Sequence, residues 1–254
     1  MTVTDSPTRW VHYRLPRRDP AVRLFCIPHA GAGASAYVAW RNGFPDWIEV
    51  CPVQLPGREN RYGEPVPDDM HTLVAMLAEA LEPLLDRPVA LFGHSMGALI
   101  AYELAVQWMN GGGPVPRHLF LSGCLPPHRM EDRTLAGEED GELLDLLRSY
   151  NGMDPALLGA EEFVDFIVPV FRRDLRLVDS FVRNPAQPPL PCPVTVFSGV
   201  EDPFVDPEQA AEWEAYAGGG FQLRLFAGDH FYLRDSKDDI IGHIRLCLSQ
   251  TAGE

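Results

Sequence analysis

Along most of the chain, short apolar runs alternate with longer stretches whose apolar residues recur every three or four positions. The short runs, rich in β-branched and aromatic residues, fit strands buried on both faces, and the longer pattern fits amphipathic helices. Strands are predicted at residues 24–27, 48–55, 89–93, 119–122, 194–198 and 223–226. Between the second and third, residues 70–85 carry Leu73, Met76, Leu77, Ala80, Leu81 and Leu84 on one helical stripe, with Asp68 or Asp69 able to cap its start. A helix over 96–109 ends at Gly111, Gly112 and Gly113, and a last helix starts near Asp235. Such alternation predicts an α/β fold, a mostly parallel central sheet flanked by helices, in a single domain over residues 1–254.

The alternation breaks between about residues 126 and 191, where helical patterning continues without a strand. Residues 142–150 read as one helix, and Phe163, Phe166, Ile167, Val170, Phe171, Leu175, Val178 and Phe181 as a second that Pro169 should kink or restart. The segment is read as a helical lid insertion; a helical pair packed on the sheet edge is the alternative. Pro185, Pro188, Pro189, Pro191 and Pro193 form a stiff return to the sheet.

Composition narrows the class of partner. A formal charge of −15 disfavours nucleic acid and anionic membranes. No apolar stretch approaches the roughly 18 residues of a membrane span, and no signal peptide is evident, so a cytoplasmic protein is expected, with monomer as the default. Five scattered cysteines without a C-x-x-C pair argue against a disulfide framework or a zinc site, and no metal is expected.

The sharpest chemical signal is Gly93-His94-Ser95-Met96-Gly97, a G-x-S-x-G sequence between an apolar strand and a helix. That context defines a nucleophile elbow of the α/β-hydrolase fold: small residues permit a tight turn that exposes the serine hydroxyl. A hydroxyl needs a base to take its proton. Among eight histidines, His230 follows the last strand, where the chain order serine, acid, histidine puts that base. His94 is expected to point away from Ser95, and His29, His71, His118, His128 and His243 to be structural or exposed. The loop after the fifth strand offers Glu201, Asp202 and Asp206 as the acid. Asp202, just before Pro203, is preferred; Asp206 is the reserve and a cap for a helix starting at Pro207, and Asp229 is too close to His230 to face it. For a tetrahedral oxyanion, the donors expected are the backbone N–H groups of Met96 and of Ala30, in the small-residue loop Pro28-His29-Ala30-Gly31-Ala32-Gly33. That loop lacks the G-K-[ST] ending of a phosphate loop.

With these residues in place, FCIPHAGAGASAY, VQLPGRENRY, LFGHSMGALIAYELA, IVPVFRRDLRLVDSF, FSGVEDP and GDHF together resemble the type II thioesterases of polyketide and non-ribosomal peptide assembly lines, over nearly the whole chain. The resemblance implies hydrolysis of acyl groups from the phosphopantetheine arm of acyl or peptidyl carrier proteins, with the partner carrying that arm and no cofactor of the protein's own. Medium-chain acyl-carrier-protein thioesterases of fatty acid synthesis look similar too. A product-releasing thioesterase, a general carboxylesterase and a non-catalytic binding module are the rival readings. Met1 and the short ends lead us to expect a discrete protein.

Phe163, Phe166, Ile167, Val170 and Phe171 are candidates for one wall of the acyl pocket, with plain core packing the alternative. Because this chain and carrier proteins are both acidic, docking would need local positive charge. Arg172, Arg173, Arg176 and Arg183 are candidates, as are Arg58 and Arg61; the competing reading pairs such arginines with Asp165, Asp174 and Asp179.

Overall fold

In the computed structural model, which describes residues 7–130, 136 and 139–250, six parallel strands build one sheet. They are β1 (Val22–Ile27), β2 (Ile48–Pro52), β3 (Val89–His94), β4 (Leu119–Ser122), β5 (Val194–Gly199) and β6 (Phe221–Phe226), in the order β2-β1-β3-β4-β5-β6. The helices are α1 (Pro7–Trp10), α2 (Met70–Leu81), α3 (Met96–Asn110), α4 (Asp140–Ser149), α5 (Glu161–Asp179), α6 (Pro207–Ala211) and α7 (Lys237–Gln250).

Successive strand residues face opposite sides of the sheet, and each side has its own core. Phe25, Ile27 and Leu91 pack with Leu73, Leu77 and Leu99 of α2 and α3. Leu24, Cys26, Ala90 and Phe92 pack on the other side with Ile240 and Ile244 of α7. Strands covered on both faces are buried along their whole length, which is why β1, β3 and β5 read as mostly apolar runs, interrupted by Arg23, Thr195 and Ser198 and ended in β3 by His94. All five cysteines are buried in these layers as free thiols.

The strand order fixes where a site can form. The chain steps outward from β1 to β2, then returns past β1 to lay β3 on its other side, with Ile27 level with Gly93. The carboxyl ends of β1 and β3 therefore bound the switch point, where neighbouring loops diverge and leave a crevice.

Element ends differ from the sequence reading for local reasons. The α-helical part of α2 stops at Leu81, because Pro83 enters a 3-10 turn over Glu82–Leu84; Asp69 is the cap, accepting the Thr72 N–H at 2.8 Å. The fifth helix is not restarted: α5 runs unbroken through Pro169. Pro169 and Asp165, whose carbonyl loses its helical donor, both lie on the exposed side, where water can serve that oxygen. Helices α4 and α5 fall between β4 and β5 and share an apolar cluster that includes Leu143, Leu147, Ile167, Phe171 and Leu175. Among the described residues no helix is long and apolar enough to cross a membrane.

Candidate active site

Ser95 occupies the single-residue junction between β3 and α3 with φ 54° and ψ −122°, a backbone state disfavoured for any residue with a side chain. Packing enforces it. A Cβ on Gly97 would lie 2.2 Å from the Ile27 carbonyl oxygen of β1, and one on Gly93 would lie 2.0 Å from the Gly97 carbonyl oxygen. The Ser95 N–H donates to the Ser122 carbonyl at the end of β4 (2.8 Å), tying the elbow to the next strand.

After β6, His230 reaches back to the loop that follows β5. Its Nδ1 lies 2.8 Å from Asp202 Oδ2, and both side chains are almost wholly buried. Asp202 Oδ1 accepts the Phe204 N–H at 2.9 Å, so the carboxylate is held from both sides. The competing acids are engaged elsewhere. Asp206 caps α6 by accepting the Gln209 N–H at 2.8 Å, and Asp229 accepts from the Phe231 N–H and the Asn151 amide, each at 2.9 Å. A carboxylate at Nδ1 selects the tautomer with its proton there, leaving Nε2 to accept. Nε2 is buried and has no hydrogen-bond partner among the described residues.

Ser95, His230, Ala30 and Met96 line one cavity at the switch point. Met96 is the first residue of α3, so its N–H has no carbonyl one turn back to bond. The loop carrying Ala30 is gripped by side chains from the segment after β2: Ala34 N–H donates to Gln54 Oε1 at 2.9 Å, and the Ser35 hydroxyl donates to Glu59 Oε1 at 2.5 Å.

Two further histidines gather here that the sequence reading set aside. The His94 ring packs beside the base: its centroid is 4.9 Å from that of His230 and 5.8 Å from that of His29. His94 Nδ1 is 2.9 Å from the Ser122 hydroxyl, which in turn is 2.5 Å from the Tyr232 hydroxyl. Gly123, at φ +56°, makes room for the crowding, since a Cβ there would meet His94 Cε1 at 2.7 Å and His230 Cε1 at 3.3 Å. Burial, with His230 nearby, pushes His29 down to about 3 and His94 well below the ordinary histidine range, so both rings are neutral at physiological pH. Adjacency to the elbow was the available signal for His94.

The rest of the cavity is apolar, with walls that include Leu99, Leu147, Tyr150, Phe171, Leu175 and Val178. Of the five residues expected to form the acyl wall, Phe171 alone lines it. Ile167 and Val170 are buried outside it, Phe163 is half-buried, and Phe166 lies 43% exposed with its ring stacked on Tyr62. The cavity face of α5 sits one turn further on, at the i, i+4, i+7 positions 171, 175 and 178. Arg58 and Arg61 are each 3% exposed, which excludes them as docking residues: Arg58 pairs with buried Asp174 and Arg61 with Glu64. Arg172 pairs with Asp140 and donates to the Ala136 carbonyl, Arg173 and Arg183 are half-buried, and Arg176 is exposed.

The model of the thioesterase domain family matches residues 22–247, which span every strand and the whole cavity. The chain belongs to the thioesterase family. This thioesterase is 36% identical to the gramicidin S biosynthesis protein GrsT of Aneurinibacillus migulanus, over 95% of this chain and 94% of that one. Among solved structures it resembles RedJ, a thioesterase from the prodiginine biosynthetic pathway of Streptomyces coelicolor (39% identity, TM-score 0.85, 92% of this chain and 95% of RedJ). It also resembles BorB, a type II thioesterase from the borrelidin biosynthetic cluster (35% identity, TM-score 0.86, 96% of this chain and 99% of BorB).

Proposed function

We propose that this thioesterase releases acyl groups from the phosphopantetheine arm of acyl or peptidyl carrier proteins, through an acyl-enzyme on Ser95. The observation that carries the reading is the His230–Asp202 contact at 2.8 Å, with His230 and a strained Ser95 lining the same largely apolar cavity. Ser95 Oγ attacks the thioester carbonyl carbon while its proton passes to His230 Nε2, and Asp202 stabilises the imidazolium. The N–H groups of Ala30 and Met96 receive the developing oxyanion. On collapse the C–S bond breaks and the leaving sulfur takes the proton from Nε2. Water then attacks the acyl-enzyme, delivering its proton to His230, and the ester bond to Ser95 breaks as the hydroxyl regains that proton.

The apolar walls suit an alkyl or polyketide acyl chain, and the α4–α5 segment over them serves as a lid within one α/β-hydrolase domain. Of Arg172, Arg173, Arg176 and Arg183, the exposed Arg176 is best placed to meet an acidic carrier protein, Arg172 already sharing its charge with Asp140, and similarity to GrsT, RedJ and BorB supports an assembly-line carrier. Mass spectrometry of a panel of acylated carrier proteins tests this. Wild-type protein should strip the acyl group, and Ser95→Ala should lose at least about 10⁴-fold in rate. Faster cleavage of simple oxygen esters than of carrier-bound thioesters would replace this reading with a carboxylesterase.

A further inference from the structure

The loop proposed to carry the Ala30 oxyanion donor is fastened to α5 by a buried charge. Asp174, with no exposed side-chain surface, receives both terminal nitrogens of Arg58, Nη2 to Oδ1 at 2.6 Å and Nη1 to Oδ2 at 2.7 Å. Its Oδ2 also accepts the backbone N–H of Gly31, the residue after Ala30, at 2.7 Å. Arg58 Nη1 donates in turn to the Ala32 carbonyl at 3.1 Å. One ion pair thus holds an N–H and a C=O on either side of a single peptide step, and it draws its members from α5 and from the segment after β2.

Packing follows the same route. Gly31 has φ +79°, and the place its Cβ would occupy is 3.7 Å from Ile167 Cδ1 and 3.8 Å from Phe171 Cδ2, both on α5. Phe171 and Leu175, either side of Asp174 on α5, line the acyl cavity. The helix that feels the acyl chain is therefore the helix that holds the oxyanion loop.

We propose that Asp174 is a positioning residue: through Arg58 and the Gly31 N–H it makes the placement of the Ala30 oxyanion donor depend on how α5 is seated. This rests on the assignment of Ser95 and Ala30 above. The contact with Gly31 takes the carboxylate beyond its bidentate pairing with the arginine and onto the backbone of the oxyanion loop itself. The hydrogen bond to Gly31 is the part that bears on chemistry, because a donor displaced by a fraction of an ångström loses its grip on the oxyanion.

The test compares wild type with Asp174→Asn, Arg58→Lys and the double variant Arg58→Met/Asp174→Leu, reading kcat, KM, melting temperature and affinity for an acyl trifluoromethyl ketone that forms an oxyanion on Ser95. Asp174→Asn and Arg58→Lys should lower kcat and ketone affinity together, by roughly 10²-fold, with KM changed less than about threefold. In the double variant no buried charge is left unpaired, so melting temperature should recover while kcat and ketone affinity stay low. Recovery of kcat along with stability would overturn the proposal and reduce the pair to a fold staple, as would single variants that keep wild-type ketone affinity. Should the single variants fail to fold, the double variant decides alone, together with hydrogen exchange on wild type: ketone binding should slow exchange of the Gly31 amide and of α5, and protection confined to the loop would overturn the coupling. Full turnover by Ser95→Ala would instead remove the acyl-enzyme reading itself.

Discussion

Asp202 meets Nδ1 of His230 at 2.8 Å while its other oxygen is bound by the Phe204 N–H, so the carboxylate cannot rotate without losing a second hydrogen bond. Asp202→Asn keeps the shape but offers no full negative charge and lets the ring adopt the other tautomer. We expect kcat to fall by roughly 10³- to 10⁴-fold with a nearly unchanged melting temperature. Steady-state kinetics on a soluble acyl thioester checks this, and a loss below tenfold would remove Asp202 from the proposed mechanism.

Gly97→Ala puts a Cβ 2.2 Å from the backbone oxygen of Ile27, in a strand that cannot retreat from its two neighbours. Stability should drop by about 3 kcal/mol in urea denaturation, and activity should vanish even in the folded fraction. Normal folding and turnover would show that the elbow tolerates a wider approach to β1.

Chain-length preference should follow the cavity face of α5. Leu175→Ala should shift the best substrate to longer or bulkier acyl groups and cost the original one roughly tenfold in kcat/KM. Phe166→Ala, at a surface position stacked on Tyr62, should leave the preference alone. Profiles over a series of acyl thioesters distinguish the two, and a shift from Phe166→Ala would return that residue to the pocket.

Acid should destabilise the protein well before the carboxylates titrate. His29 (about 3), His94 (well below its usual range) and His118 (about 4) stay neutral in the fold because of burial, while the unfolded chain takes up protons as pH falls below about 6.5. Each contributes a loss of about 1.4 kcal/mol per pH unit once below that point, continuing down to its folded value. Glu103 acts in the opposite sense: burial raises its carboxyl from 4.5 to about 7, so ionising it costs stability as pH rises through that window. Glu103→Gln should gain on the order of 2 kcal/mol at pH 8 and nothing at pH 4.5, leaving a steeper acid loss. Urea unfolding at several pH values reads both slopes, and a flat wild-type profile between pH 6.5 and 5 would contradict the neutral histidines.

Much of the sheet was legible because a strand covered on both faces has no alternative but to be apolar, as β3 is from Val89 to Phe92. Ser95 was legible for the same kind of reason: two glycines flank a serine where backbone carbonyls leave no space for a Cβ. Asp202 stood out among nearby acids by lying three residues past Gly199 on the loop after β5, whereas Asp206 read as the cap of the next helix. Beyond the Ser95, His230 and Asp202 grouping, relationships set by packing between distant segments were not decided by the sequence. Nothing local to Arg58 decides between a docking surface and a pairing with Asp174, 116 residues away, so both readings stayed open until the fold showed the buried ion pair. Nothing local to Phe163 or Phe166 says which face of α5 turns inward; that depends on where the helix crosses the loop at Gly31. Pro169 was read as a kink or restart because its exposed side, which removes the penalty, is a property of the folded molecule.

The buried cysteines have a practical consequence. Burial pushes the thiols of Cys26, Cys51 and Cys247 up and that of Cys192 up to about 11, while Cys124, also buried, lines the acyl cavity. Thiolate is the form that attacks a disulfide dye, so those four thiols should stay silent toward such a reagent, and any background from Cys124 should stop at one equivalent per protein. Each turnover on a thioester frees one reactive thiol, and colour from the dye would then count catalytic events continuously, in a single cuvette, without mutating the enzyme.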